Sequence, residues 1–465
     1  MRELCSLTSE KVEIVRKFDR LSPLRVEEES LFGEDSKALD KLSKARKYAD
    51  QSYRDIKNLK SNKKRKQKKM EVDAMKEQIE SMAGFEKGDC VIAFSKKDIF
   101  TLKKKIEAAT GLKCCVVYGS LPPVTRARQA ALFNDPKSGY DLLISTDAIG
   151  MGLNLNIRRI IFATVTKFDG YVERRLLADE IQQIAGRAGR FSSGHSEGLV
   201  NCFYEEDLEY VKDAISSEIT PLTKAGLSPT FSQLIKFHKV RHNIVSESLN
   251  ESRKERSGPR STLEEIFKNS LEFEDEDGDA ADLRGDLAPL LNEFFSVAKN
   301  NVSSNFFMCP LDDQIAAAEC LDFIKELSLK DKFVFSHAPI NTKNDYVVQY
   351  LLLYGHALTL DPHSPVLLDV NVKAAISDNM SPLKKMSMLE SVHDVIELYI
   401  WLSLRYSRFT EHEKAVQQKH ICSEMIFQVL HSMTHEEKEL AVSRFKNKRD
   451  NSDLMESLRD LLEED

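Results

Sequence analysis

Between residues 88 and 204 the chain alternates short apolar runs with stretches of helical period. The runs are Cys90-Val91-Ile92-Ala93-Phe94, Cys114-Cys115-Val116-Val117-Tyr118, Leu142-Leu143-Ile144-Ser145, Ile160-Ile161-Phe162-Ala163 and Leu199-Val200-Asn201-Cys202-Phe203. Rich in β-branched and aromatic residues, and short, they predict buried strands. Between the first two, Ile99, Leu102 and Ile106 recur at helical spacing, and Gly111 is a natural C-cap. Strands alternating with helices predict a parallel sheet with helices on its faces. From residue 208 onward the pattern is mainly helical. Positions 389, 392, 396, 399 and 403 form a face that is apolar except at Ser403. Ile400, Trp401 and Leu402 extend it almost all round, which predicts a buried helix with His393 and Trp401 as core residues.

A parallel sheet keeps its ligand site at the carboxyl ends of its strands. Three of the predicted strands end in polar segments, two of them Gly-bearing: Ser95-Lys96-Lys97, Gly119-Ser120-Leu121-Pro122, and Thr146-Asp147 followed by Gly150 and Gly152. Hydroxyls, small residues and backbone amides at helix N-termini bind phosphate oxygens. One such end is ordinarily an N-cap; three on one rim predict a phosphate-binding edge. Downstream, Gln183-Ile184-Ala185-Gly186-Arg187-Ala188-Gly189-Arg190 reads Q-x-x-G-R-x-G-R. If the segment is helical, Arg187 and Arg190 are neighbours. The glycines keep the backbone slim, and two planar, permanently charged donors then reach one phosphate cluster. Taken alone the segment is as readily a Gly-Arg surface turn.

These segments carry a family likeness. Ser145-Thr146-Asp147-Ala148-Ile149-Gly150-Met151-Gly152 resembles motif V of superfamily 2 helicases, and Gln183 to Arg190 resembles their motif VI. Tyr118-Gly119-Ser120 with Arg126 resembles the segment between motifs IV and V. Together they resemble a helicase's second RecA-like lobe. The wording is similar to mitochondrial degradosome RNA helicases of the suppressor-of-Var type. It lies in Phe94-Ser95-Lys96, in Tyr118 through Pro123, in Thr146 through Leu155 and in Gln183 through Phe191. Beyond the lobe, Phe306-Phe307-Met308-Cys309, Ala338-Pro339-Ile340-Asn341 and Leu389 through Ser403 also resemble that family, so the likeness covers most of residues 88 to 430.

The resemblance implies an α/β fold followed by a mainly α one: a second RecA-like parallel-sheet lobe and a helical C-terminal region. It implies an ATP-dependent RNA helicase with ATP and Mg2+ between two lobes and RNA crossing both. By motif position Arg187 and Arg190 are catalytic arginine fingers. Gln183, Asp147, Gly150 and Gly152 face the nucleotide or link it to RNA. Ser95, Gly119, Ser120 and Thr146 touch RNA phosphates and sugars, contacts that position RNA with little sequence preference. The resemblance further implies unwinding of RNA, double-stranded RNA included, for mitochondrial RNA degradation and surveillance. It implies a matrix location and an exoribonuclease partner in a degradosome. One departure is Lys167 through Arg175, which matches loosely and looks shortened where such helicases often carry an extended hairpin.

No stretch reads Gly-x-x-x-x-Gly-Lys-[Ser/Thr], the phosphate loop of a first helicase lobe. Asp179-Glu180 lies in a helical pattern, without the apolar strand that a magnesium carboxylate follows. Glu13-Ile14-Val15-Arg16 and Arg20-Leu21-Ser22-Pro23-Leu24 resemble the connection leaving that lobe. The expectation is half of an ATPase, inactive by itself, with ATP and Mg2+ held mainly by the other lobe. The alternative is a non-catalytic RNA- or protein-binding module derived from such a helicase. A DNA-directed relative is a third reading, because backbone contacts do not settle the sugar.

At 465 residues the chain suffices for two or three domains. Its net charge of −7 does not advertise a nucleic-acid binder, so RNA contact must be local. No apolar run is long enough to span a bilayer. Eight cysteines without a C-x-x-C pair read as free, mostly buried thiols rather than a metal site. The expected partition is a connection over 1–31, a charged Lys-rich insertion over 32–86, the lobe over 87–206, a helical region over 207–435 and a charged tail over 436–465. The insertion, centred on Lys63-Lys64-Arg65-Lys66-Gln67-Lys68-Lys69, reads as a solvated helix or disordered linker, with an RNA-phosphate or nuclear-import patch as the alternative reading of the same residues. Polar stretches near 246–262 and 272–282 read as disordered loops. Glu3, Glu10 and Glu13 are acids that a mitochondrial presequence avoids, so no transit peptide is visible and the nucleus stands as the alternative location.

Overall fold

Strands apolar on both faces need cover on both sides, which a parallel sheet between helices provides. The computed structural model describes residues 23–56, 62–150, 152–189, 197–218, 224–251, 283–301 and 305–433. It has β1 (Leu24–Val26), β2 (Asp89–Ile92), β3 (Cys114–Val117), β4 (Leu142–Ser145), β5 (Arg159–Phe162) and β8 (Gly198–Cys202) in one sheet, ordered β1-β8-β5-β2-β4-β3. Every ladder is parallel, with Val91 opposite both Ile144 and Ile161. Five of these strands coincide with the apolar runs. The edge strand β1 lies inside the expected 1–31 connection and pairs with Gly198–Val200.

Helices α1 (Ala38–Ile56), α2 (Asn62–Ala83), α3 (Lys96–Thr110), α4 (Pro123–Asn134), α5 (Ala178–Ala185) and α6 (Glu205–Ser216) belong with the sheet. Helix α3 follows its sequence: Ile99 and Ile106 are fully buried, and Gly111 (φ 76°) closes it, its N–H reaching Glu107 O. Ile92, Val117, Leu143, Phe162, Ile181 and Leu208 share one apolar core. The chain divides between Thr220 and Pro221 into two compact units. Because α6 packs on α5 and β8, the sheet's unit runs past residue 206, where the lobe was expected to end.

Within residues 32–86 the described residues of 38–56 and 62–83 are helical. Helices α1 and α2 form an antiparallel pair around Ala49, Ile56 and Val72, clamped by the ion pairs Arg46–Glu80 and Lys76–Asp50. The amino edge of the sheet is bolted electrostatically. Buried Asp89 accepts from Arg159 Nε at 3.1 Å and Nη2 at 2.6 Å, while Arg159 Nη1 reaches Glu27 at 2.9 Å. Cys90, Cys114, Cys115 and Cys202 are free thiols buried in the strands, and burial pushes the Cys115 thiol up to about 12.

In the second unit, β9 (Ala225–Leu227) pairs in parallel with β10 (Phe306–Met308). Its described helices are α7 (Phe231–Glu251), α8 (Leu287–Asn301), α9 (Asp312–Leu321), α10 (Leu329–Ser336), α11 (Asp345–Thr359), α12 (Pro382–Ser403) and α13 (His412–Ser432). Helix α7 reaches Glu251, so the start of the loop expected near 246–262 is helical. Residues 252–282, which include the stretch near 272–282, and the 436–465 tail lie outside the described residues. On α12, Leu389, Val392, Ile396 and Tyr399 are buried as the periodicity predicts, and so is His393. Trp401 departs from the expected core position: it is half-buried, and the Arg405 guanidinium covers its ring 3.6 Å from the centroid. Among the described residues no helix is long and apolar enough to cross a membrane.

Burial, reinforced by Glu390 and Glu397, raises the Asp394 carboxyl on α12 to about 6. A folded-state value above the ordinary 3.8 means that stability is lost as pH rises through 6. Asp394→Asn is therefore expected to stabilise the chain by about 1 kcal/mol at pH 8, since the carboxyl is half-exposed and partly screened. The gain should vanish below the ordinary carboxyl value of 3.8. Denaturant melts at the two pH values check this; a pH-independent difference would contradict it.

Candidate functional site

Register decides what the rim contains. Ile92 lies opposite Ser145, and Ser145 opposite Val117, so β2, β4 and β3 end in one row. The three segments that leave the sheet there begin at Ala93, Thr146 and Tyr118 and carry Ser95, Thr146, Asp147, Gly119 and Ser120. Gly119 and Ser120 are exposed. Ser95 is the N-cap of α3; its hydroxyl accepts from Asp98 N–H at 3.0 Å and donates to the Asp98 carboxylate. The Thr146 hydroxyl accepts from Ala148 N–H at 3.1 Å. Both hydroxyls already serve turns, so anion contact at these ends falls mainly to backbone amides and cations. Lys96 lies over the Tyr118 ring, 5.2 Å from its centroid. In the first turn of α4, Arg126 Nε is buried without a hydrogen-bond partner.

The chain then turns through a 3-10 helix, Asp147–Gly150, that buries Ile149. Gly150 faces α5: a Cβ there would stand 3.6 Å from Gln183 Nε2. Gly152 has φ +77° and open space around it, so only its backbone conformation favours glycine. Asp147 is exposed and lies 3.7 Å from Lys167 Nζ.

The Arg-bearing segment is not a continued helix. Helix α5 stops at Ala185, and Arg187 sits in the turn that follows, its N–H bonded to Ile184 O at 3.0 Å. Ala188 then bridges Ile157, and Gly189 (φ +63°) donates to Ile157 O at 3.0 Å. A Cβ on Gly189 would fall 2.3 Å from Gly198 N. The backbone leaves the helix because it must pass under the start of β8. The helical spacing expected for Arg187 and Arg190 is thereby corrected at Arg187; Arg190 lies outside the described residues. Gln183 is exposed on α5 and Arg187 is half-buried in the turn after it.

Two further groups join the site that the motif reading did not assign. The segment 167–175 forms a hairpin, β6 (Thr166–Phe168) and β7 (Glu173–Arg175), with Phe168, Tyr171 and Val172 exposed near its tip. The signal was the Asp169-Gly170 pair, a common turn dipeptide, with Gly170 at φ +107°. At the hairpin's base, Glu180 accepts from Arg174 at 2.9 and 3.0 Å and pairs with Lys167 at 2.6 Å. The Arg174 hydrogen bonds lead in drawing the Glu180 carboxyl down to about 2. Glu180 is thus a tie between the hairpin and α5. Lys167 extends that tie to Asp147.

Known proteins share these segments. The helicase conserved C-terminal domain matches residues 55–192, Suv3 C-terminal domain 1 matches 316–357, and the C-terminal domain of the ATP-dependent RNA helicase SUV3 matches 386–432. The Arabidopsis thaliana protein named DExH-box ATP-dependent RNA helicase DExH16, mitochondrial, is 36% identical over 77% of this chain and 54% of its own length. The Oryza sativa subsp. japonica protein named ATP-dependent RNA helicase SUV3, mitochondrial, is 34% identical over 77% and 54%. The Homo sapiens protein named ATP-dependent RNA helicase SUPV3L1, mitochondrial, is 35% identical over 70% and 37%. The chain thus spans about half or less of the curated relatives it matches. The solved E. coli DExH-box NTPase HrpB aligns over 70% of this chain and 36% of its own at 13% identity, with a TM-score of 0.27.

Proposed function

We propose that this chain, which carries the helicase conserved C-terminal domain and the C-terminal domains of the Suv3 RNA helicases, is the second-lobe half of an ATP-dependent RNA helicase. The observation that carries the reading is the close approach of Gly150 to α5, where a Cβ would stand 3.6 Å from Gln183 Nε2. It joins the turn after β4 to the helix before Arg187, so a nucleotide held near Arg187 is linked through one 3-10 turn to the rim. In this reading Arg187 and Arg190 stabilise charge on the phosphates, and Gln183, Asp147, Gly150 and Gly152 frame the nucleotide. The ends at Ser95, Gly119, Ser120 and Thr146 hold the RNA backbone, with Arg126 adding a cation.

The chemistry fits half of an ATP site. A guanidinium suits phosphate oxygens, but among the described residues no group of three or more His, Cys, Asp or Glu side chains could hold a metal ion. On the family resemblance, magnesium and most of the nucleotide are assigned to a first lobe. Bound ATP would draw one lobe against the other and would supply the phosphoanhydride that is cleaved. The relatives are named mitochondrial, and we place the chain in mitochondrial RNA turnover in the matrix, unwinding RNA, double-stranded RNA included. An exoribonuclease partner rests on the family resemblance alone.

RNA-stimulated ATP hydrolysis by the purified chain tests the reading. The chain alone should show no turnover above background, and adding a nucleotide-binding first lobe should produce it. Turnover by the chain alone that disappears in Arg187→Ala would mean that a complete site exists within these residues, and the half-site reading would fall.

A further inference from the structure

We propose that the helical hairpin of α1 and α2 is a second binding surface for the phosphate backbone of RNA, at its Lys63–Lys69 end and remote from the rim. The choice of RNA among polyanions rests on the function proposed above; the cationic surface does not.

Direction comes first. Asp40 pairs with Lys105 at 2.8 Å, and Arg46 Nη2 lies 3.3 Å from the Cβ position of Gly111. Helix α1 therefore runs alongside α3 in the same sense, from the rim toward the amino edge of the sheet. It continues ten residues past Arg46 to Ile56. Helix α2 returns antiparallel: Val72 packs with Ala49 and Ile56, Lys76 pairs with Asp50, and Arg46 meets both Lys76 O (3.2 Å) and Glu80. Its last residue, Ala83, leads into the amino end of β2. The start of α2 thus projects off the amino edge, with Lys66 about 20 Å beyond Glu80 at 1.5 Å per residue. The phosphate rim is at the opposite edge.

Charge gives the surface its chemistry. Residues 62–70 include Lys63, Lys64, Arg65, Lys66, Lys68 and Lys69 and no acid, in a chain of net charge −7. All nine are exposed. The placement works against the helix itself. The positive end of the helix dipole disfavours cations in the first turns, α2 has no acid in its first turn, and Lys64–Lys68 and Arg65–Lys69 are like-charged at i,i+4. A polyanion lying along this end would relieve the repulsion and the dipole conflict together. The pairing with α1 anchors the base of α2 from Val72 to Glu80, and Lys69 lies over the Tyr53 ring at 5.9 Å, while Lys63 to Lys68 project beyond it. An RNA backbone presents regularly spaced charges without demanding base contacts.

The test uses the whole chain with Lys63, Lys64, Lys66 and Lys68 all replaced by glutamine (K63Q/K64Q/K66Q/K68Q). Anisotropy of a fluorescein-labelled duplex RNA is titrated at several salt concentrations. We expect affinity at low salt to fall about tenfold or more and the log–log salt slope to drop by about 2–3, as lost phosphate contacts require. The thermal midpoint should hold or rise, because a repulsion has been removed. Wild-type RNA binding untouched by the four substitutions would overturn this surface and leave the rim reading standing. A wild-type chain that binds no RNA would sink both. Competition by poly-glutamate as effective as by unlabelled RNA would overturn RNA as the partner in favour of an acidic protein.

Discussion

Replacing Arg187 by alanine is expected to cut RNA-stimulated ATP hydrolysis by ~10³–10⁵-fold, the range that an arginine finger contributes. The measurement is made on the chain completed by its nucleotide-binding lobe. Any change in melting should be small beside that loss. The Arg187 backbone is fixed by its own N–H bond to Ile184 O and by the Ile157–Ala188 bridge beyond it, and truncation at Cβ touches neither. Arg187→Lys should rescue little, because a point charge cannot reproduce a planar fork of donors. Arg190→Ala carries the same expectation by motif position. These variants also separate a motor from a binding module. A module has no turnover to lose, and removing one half-buried cation would cost it only a local contact with RNA. A loss smaller than tenfold with ATP saturating would remove Arg187 from the catalytic role.

Legibility in the sequence followed burial. The strands β2, β3, β4 and β5 are wholly buried, so four-residue apolar runs announced them. The rim followed from them, because parallel strands send their carboxyl ends the same way. Strand β1 was hidden: it is three residues, half-buried at Leu24 and Val26 and exposed at Arg25, whose partner, Gly198–Val200, is far along the chain, and no local pattern encodes such a pairing. The α1–α2 pair was only weakly legible, since its apolar stripe is thin and its surface crowded with charge. The hairpin of β6 and β7 carries Lys167, Arg174 and Asp169 where a buried strand would carry apolar residues, and its order comes from ion pairs with Glu180. The condition on which Arg187 and Arg190 were neighbours, a continued helix, fails for a related reason. Beyond α5 the chain is held by the bridge of Ala188 with Ile157 and passes close to Gly198 at Gly189, both non-local.

Gly189→Ala is accordingly expected to be among the most damaging single-methyl additions in the sheet's unit. Two independent penalties coincide there. At φ +63° a Cβ meets the steric cost of left-handed backbone. The same Cβ would also lie 2.3 Å from Gly198 N, 2.4 Å from Gly198 Cα and 2.6 Å from Glu197 C. These are backbone atoms at the start of β8, which pairs with both β1 and β5, so they cannot swing aside as a flexible side chain could. Together the two terms predict a loss of about 2–5 kcal/mol. Gly152→Ala separates them: its φ of +77° is equally unfavourable, but nothing lies within 4 Å of the added methyl. It should cost about 1–2 kcal/mol from conformation alone. Chemical denaturation of both variants measures the difference, which is the steric part. Strain at Gly189 can also be relieved locally, by lifting the Gly186–Gly189 turn off β8. In that case the global loss would shrink while Arg187 moved, and ATP turnover in the completed enzyme would fall with little change in melting. Equal, small effects of the two substitutions on both stability and turnover would mean that the close passage beneath β8 does not hold the turn that carries Arg187.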